Sequence, residues 1–135
     1  KDLKFIEKLS PEMCGIGPFV PHKDTKFKNE KRGDVSLVLM LLSIIRLLKP
    51  NILLPATTAL GTVDPLGREK GILHGANVIM PNLSPVKHRK DYSLYDNKIC
   101  TGDEAAQCIG CLADRMKKIG YEIVTDRGDY TENYD

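Results

Sequence analysis

Two matching stretches constrain the fold most: Leu54-Pro55-Ala56-Thr57-Thr58-Ala59-Leu60-Gly61 and Gly75-Ala76-Asn77-Val78-Ile79-Met80-Pro81-Asn82. Each reads as a short apolar strand ending in polar or kinked residues, and one helix-length segment separates them. That is the grammar of a βα repeat, in which side chains at the strand carboxyl ends do the chemistry. Function is therefore expected at the strand carboxyl ends, and too few such units are present for a complete site.

The remaining elements extend the same pattern. Asp2 to Leu9 reads as the last turns of a helix, and Cys14 to Val20 as a strand closed by Pro18 and Pro21. A lysine-rich loop leads to Asp34, the expected N-cap of a helix that runs to Leu48 and stops before Pro50. That helix is apolar nearly all round, which predicts burial on several sides. Asn51 to Ala56 is the next strand. Asp64 then offers an N-cap with Pro65 at the first helical position and Gly75 as the stop, and Ala76 to Met80 is the third strand.

An irregular segment with tyrosines follows, then a helix from about Asp103 to Ile119 and a polar tail. Strands alternating with helices define an α/β class with parallel crossovers. A closed eight-stranded βα barrel takes about 250 residues, so the 135 here make a slice of a barrel or a small open sheet. The expected division is 1–99 for the βα units, 100–120 for a cysteine-containing helical segment and 121–135 for the tail. A slice leaves outer strands with unpaired backbone groups, so the isolated chain is expected to self-associate. The opening at Lys1, apparently within a helix, suggests part of a longer polypeptide.

Composition narrows the partners. A net charge of +2 argues neither for nucleic acid nor for an anionic membrane surface. The basic clusters Lys26 to Arg32 and Lys87 to Lys90 read as solvated loops. No run approaches the roughly 20 apolar residues of a membrane span. No signal peptide is visible, and the cytoplasm is the expected compartment.

There are four cysteines. Cys14 stands alone at a strand start and reads as a small buried apolar residue. Cys100, Cys108 and Cys111 form C-x7-C-x2-C, with the last two on one face of the final helix. Such a triplet holds zinc with a fourth ligand, holds an iron–sulfur cluster, forms a redox pair or stays as reduced thiols, and the spacing leaves these open. His88 is the nearest candidate for a fourth ligand, although a lone loop histidine is more often solvated. Gly15-Ile16-Gly17 lacks the third glycine and following helix of a dinucleotide site. Thr57 and Thr58 read equally as β-formers closing a strand, Met80 as core, and Tyr92 with Tyr95 as a lid or surface packing. No nucleophile elbow, phosphate-cradling lysine loop or paired catalytic carboxylate is present.

Several words together resemble the C-terminal part of the biotin-synthase-like radical S-adenosylmethionine (SAM) enzymes. They are Gly15-Ile16-Gly17-Pro18-Phe19-Val20-Pro21-His22, Pro55-Ala56-Thr57-Thr58-Ala59, Gly67-Arg68-Glu69 and Gly75-Ala76-Asn77-Val78-Ile79-Met80-Pro81-Asn82, joined by Tyr92 to Tyr95 and the cysteine triplet. The context of His22 and the cysteine spacing are most similar to the hydrogenase-maturase branch.

The resemblance implies a (βα)8 barrel of which this chain supplies about the last three strands. It implies that backbone around Phe19, Val20 and Pro21 flanks the adenine of SAM, and that Thr57, Thr58, Met80, Tyr92, Leu94 and Tyr95 line a substrate cavity. It further implies that Cys100, Cys108 and Cys111 hold an auxiliary 2Fe-2S cluster near the surface, a ligand set that is not catalytic. The implied substrate is small and iron-bearing or cysteine-derived, and the implied partners are other hydrogenase maturation proteins and apo-hydrogenase.

The chain departs from the family in one large respect. The Cys-x3-Cys-x2-Cys loop for the 4Fe-4S cluster that reduces SAM is absent, as are the arginines and the acidic residue that fix SAM and substrate. The chain alone is therefore expected to be inactive. Lys26, where relatives tend to carry proline, is a smaller departure. Two other readings compete: another member of the family, such as biotin synthase or a methylornithine synthase, and a non-catalytic metal-binding or interaction module.

Overall fold

Asp34 opens its helix as its position implies. Its carboxylate accepts from the Ser36 amide at 2.8 Å, satisfying one of the donors a helix start leaves over. The computed structural model describes residues 1–92, 94–97, 99 and 105–130, and of Lys90, Tyr92 and residues 105–108 the backbone alone. In chain order the elements are α1 (Asp2–Leu9), α2 (Val35–Leu48), β1 (Pro55–Ala56), α3 (Thr58–Val63), α4 (Gly67–Leu73), β2 (Val78–Ile79), a 3₁₀ turn over Val86–Tyr92, and α5 (Ala105–Lys118).

β1 and β2 pair in parallel, with Pro55 opposite Val78 and Ala56 opposite Ile79. On the other side of β1, Met13 bridges Leu53, also in parallel. Each return is made through helix, α2 before β1 and α3 with α4 before β2. Helix plus a small parallel sheet is the α/β class expected.

The ladders are shorter than the sequence suggested. Of Cys14 to Val20 only the neighbouring bridge at Met13 forms, and the other two strands contract to two residues each. Proline accounts for much of this, because Pro18, Pro21 and Pro55 bring no amide to a ladder. A side chain stands in for one rung: Asn77 Oδ1 accepts from the Leu54 amide at 2.8 Å. The Asn77 and Val78 amides both donate to the Leu54 carbonyl, at 2.9 and 3.1 Å.

Leu54 and Ala56, two residues apart, share one face of β1 and enter the core with Leu42 and Ile45 of α2, Leu60 of α3 and Ile72 of α4. The expectation for α2 is corrected here. Val38, Leu39, Leu42 and Ile45 are buried, while Leu37, Met40 and Leu48 are exposed and Leu47 is 81% exposed. One side of this apolar helix is buried, and a second apolar stripe faces outward.

The helix expected from Asp64 to Gly75 is also corrected. It forms as α4 only from Gly67, with Leu66 at its N-cap and Pro65 in the turn before it, and a separate helix α3, over Thr58–Val63, precedes that turn. Asp64 spends its carboxylate on the turn, accepting from the Leu66 amide at 2.9 Å and pairing with Lys70 at 2.5 Å. The final helix falls where expected. Its end is a Schellman closure in which the Tyr121 amide donates to Met116 O at 3.0 Å and the Gly120 amide to Lys117 O at 3.1 Å. Gly120 takes the left-handed φ of +82° that this closure needs. No helix among the described residues is long and apolar enough to cross a membrane.

Candidate functional site

Parallel pairing puts the carboxyl ends of the three strand segments at one end of the sheet, where Thr57 and Thr58 follow β1 and Met80 follows β2. Thr57 follows β1 directly and caps α3, its Oγ1 accepting from the Leu60 amide at 3.3 Å. The first loop passes against it: a Cβ at Gly17 would stand 2.7 Å from Thr57 Oγ1, so only glycine fits. Thr58 Oγ1 accepts from Arg68 Nη2 at 3.2 Å. Each threonine hydroxyl thus receives a proton donor from the protein, and each keeps its own proton to give.

Phe19, Val20 and Pro21 form the other side of this end. The Gly33 amide donates to Phe19 O at 2.8 Å, and the Asp96 amide to Pro21 O at 3.3 Å. Asp96 answers by accepting from the Lys23 amide on Oδ2 at 3.0 Å. These bonds lay residues 94–97 across the Pro21 turn. The Phe19 ring is half exposed and packs edge-on to Phe27, with ring centres 6.2 Å apart.

The Phe19 and Pro21 carbonyls thus each accept one amide, beside the open Phe19 ring. Met80 is 47% exposed just beyond β2, Tyr95 is half-buried and Leu94 is 75% exposed. The backbone of Tyr92 closes the 3₁₀ turn, and its side chain lies outside the described atoms.

The cysteine triplet is only partly within the described residues. Cys100 lies outside them. Cys108 and Cys111 fall on α5 three residues apart, Cys111 exposed and the Cys108 side chain outside the description. Soft thiols on one turn of a surface helix suit an iron–sulfur cluster or zinc. Among the described residues no group of three or more His, Cys, Asp or Glu side chains gathers for a metal. His88 is exposed, its Nδ1 3.5 Å from Asp91 Oδ2. Cys14 packs against the core, and burial pushes its thiol pKa up, as for a small apolar residue.

Sequence reasoning missed a set of partly and fully buried charges. Arg68 is 1% exposed behind Thr58. Beside it, Glu69 receives a two-pronged bond from Arg115 of α5, Nε to Oε1 at 2.5 Å and Nη2 to Oε2 at 2.6 Å. Burial alone would raise the Glu69 carboxyl, but the bonds from Arg115 and its own amide, with the charges of Arg115 and Arg68, hold it below the ordinary range.

Arg89 corrects the reading of Lys87 to Lys90 as wholly solvated. It is 2% exposed, and it donates to Ser84 O at 2.8 Å and to Asn82 O at 3.2 Å, binding up the loop after β2. The word Gly67-Arg68-Glu69 was a usable signal for the first pair, whereas nothing in the sequence tied Arg115 to α4.

An α/β unit with its polar groups gathered at the carboxyl ends of parallel strands is the class that fold and site define. No family model matches the chain. It is 44% identical, over 127 residues and 94% of its length, to the FeFe hydrogenase maturase subunit HydE of Thermotoga maritima. The chain is HydE-like, and it spans 36% of that relative's length.

Proposed function

We propose that the chain is the C-terminal part of a radical SAM barrel in a maturase that helps assemble the FeFe-hydrogenase active-site cluster. The identity of 44% across 94% of the chain carries this reading. The parallel strand order, with its polar residues at one end, supports it. The 4Fe-4S cluster and SAM would be bound mainly by residues outside this chain, and together they supply the radical chemistry.

This chain's own residues bind, orient and exclude water. Phe19, Val20 and Pro21 flank the adenine. Thr57 and Thr58 present hydroxyl protons to a small iron-bearing or cysteine-derived substrate. Met80, Tyr92, Leu94 and Tyr95 close the cavity, and the bonds between Asp96 and both Pro21 and Lys23 that tie residues 94–97 to the Pro21 turn support this placement. Cys100, Cys108 and Cys111 would hold a 2Fe-2S cluster, as ligands without a catalytic role. Other maturation proteins, in the reducing cytoplasm, are the partners.

The test uses the full-length parent reconstituted with iron, sulfide and SAM, comparing it with its Thr57→Val and Thr57→Ser variants. The parent is expected to cleave SAM reductively. Thr57→Val should lose product formation by tenfold or more beyond its capping cost of about 1 kcal/mol, and Thr57→Ser should keep it. A parent that never cleaves SAM sinks the reading, and full activity in Thr57→Val returns Thr57 to a cap.

A further inference from the structure

Arg68 is a long cation sealed beneath the strand end, and its Nη2 donates to Thr58 Oγ1 at 3.2 Å. A guanidinium has five donors and no acceptor. The hydroxyl of Thr58 therefore cannot give its proton to Arg68, and the proton must point elsewhere. Arg68 lies in α4, which packs on α3 and β1, and its Cγ would stand 3.3 Å from a Cβ placed on Gly61.

We infer that Arg68 is a positioning residue that makes the Thr58 hydroxyl an obligate proton donor, selecting ligand groups that accept hydrogen bonds. A neutral hydroxyl ordinarily serves as donor or acceptor by rotating. Here the hydroxyl oxygen faces an N–H of the guanidinium, so an approaching acceptor finds the proton already aimed away from Arg68. A ligand group that can only donate finds Arg68 competing for the same lone pairs. Fixing the rotor in advance also removes an ordering cost that binding would otherwise carry. Thr57 acts alongside, because its oxygen is likewise occupied by the Leu60 amide. This inference rests on the proposed reading that Thr58 faces substrate.

The test compares two substitutions of similar bulk in the full-length protein. Arg68→Lys keeps a side chain that only donates. Arg68→Gln supplies an amide oxygen toward which the Thr58 proton can turn inward. The probe is L-cysteine, whose carboxylate is a pure acceptor, titrated calorimetrically with each variant alone and with Thr58→Val, and with melting temperature recorded for every protein.

Thr58→Val is expected to weaken binding about tenfold. Arg68→Lys should stay within about threefold of the parent, and Arg68→Gln should lose five- to tenfold. Combining Arg68→Gln with Thr58→Val should add little, since both remove the same donated proton. Equal losses in the Lys and Gln variants, or losses that multiply with Thr58→Val, overturn the inference and leave Arg68 as packing. If Thr58→Val binds as the parent does, the cavity reading fails and takes the inference with it. If Arg68→Gln does not fold, the Arg68→Lys and Thr58→Val pair decides: a Lys variant that loses tenfold overturns the inference, and one near the parent supports it.

Discussion

Glu69 is where a single residue does the most structural work. Its carboxylate joins α4 to α5 through Arg115, whose Nη2 also donates to Pro65 O at 2.5 Å. The pair is only partly sealed, with the Arg115 side chain 25% exposed, so its worth is that of charged hydrogen bonds near a surface. Glu69→Gln should cost about 2 kcal/mol.

The pH dependence follows from the depressed carboxyl pKa. A group whose pKa is lower folded than unfolded contributes its stability above the unfolded value, and that contribution disappears as pH falls through the folded one. The tether should therefore be at full strength at neutral pH and weaken below about pH 4.3, the ordinary glutamate value. Hydrogen exchange at α5 amides, normalised for intrinsic rate, should rise on acidification in the parent and change less in Glu69→Gln. Identical acid responses in the two proteins would show that this pair does not hold α5.

α2 carries the clearest lesson among the elements. Its exposed stripe of Leu37, Met40 and Leu47 is the complement of the buried Val38, Leu42 and Ile45. In a closed barrel a neighbouring helix would cover part of such a stripe. Met40→Lys in the full-length protein should then destabilise by about 1 to 3 kcal/mol, lowering the melting temperature by several degrees. Ser36→Lys, at an exposed polar position of the same helix, should leave it unchanged. Equal melting of both variants would mean that nothing covers this side of α2.

The limits of α2 were readable in Asp34 and Pro50 because caps and breakers act locally. The same holds for α5, closed by Gly120, and for the order of the strand segments. What escaped the sequence depends on distance along the chain. Nothing near Pro65 announces that the helix expected from Asp64 will start only at Gly67, behind a separate helix that Thr57 caps. Arg115 reaches residues 46 and 50 positions away, and no periodicity encodes that. At the site, Thr57 and Thr58 were legible as strand-end residues, but their hydrogen-bonding sense was not, since it depends on the Leu60 amide and on Arg68.

For the whole molecule, the decisive question is what covers its open edges. Residues 53–56 pair on both sides, Leu53 with Met13 and β1 with β2, whereas the segment at Met13 and β2 each pair on one side among the described residues. Below them a groove of about 680 Å³ runs between the sheet and the segment after α5, lined by Met13, Leu53, Ile79, Met116, Ile123 and Val124 among others. Exposed apolar side chains on α1 and α2, Phe5 and Leu47 among them, extend this uncovered surface. A net charge of +2 offers little repulsion to keep copies apart. Unpaired strand groups recruit other strands, and wide apolar surfaces recruit one another. The chain by itself should therefore associate, and light scattering across a tenfold concentration range should give an apparent mass above 15.1 kDa that rises with concentration. In the proposed barrel further strands pair at both edges, and a full-length protein built that way should give a mass that does not climb in this way. A clean 15.1 kDa species at every concentration would mean that these edges and stripes are tolerated bare. The barrel reading would then lose the physical argument that the rest of the sheet is required.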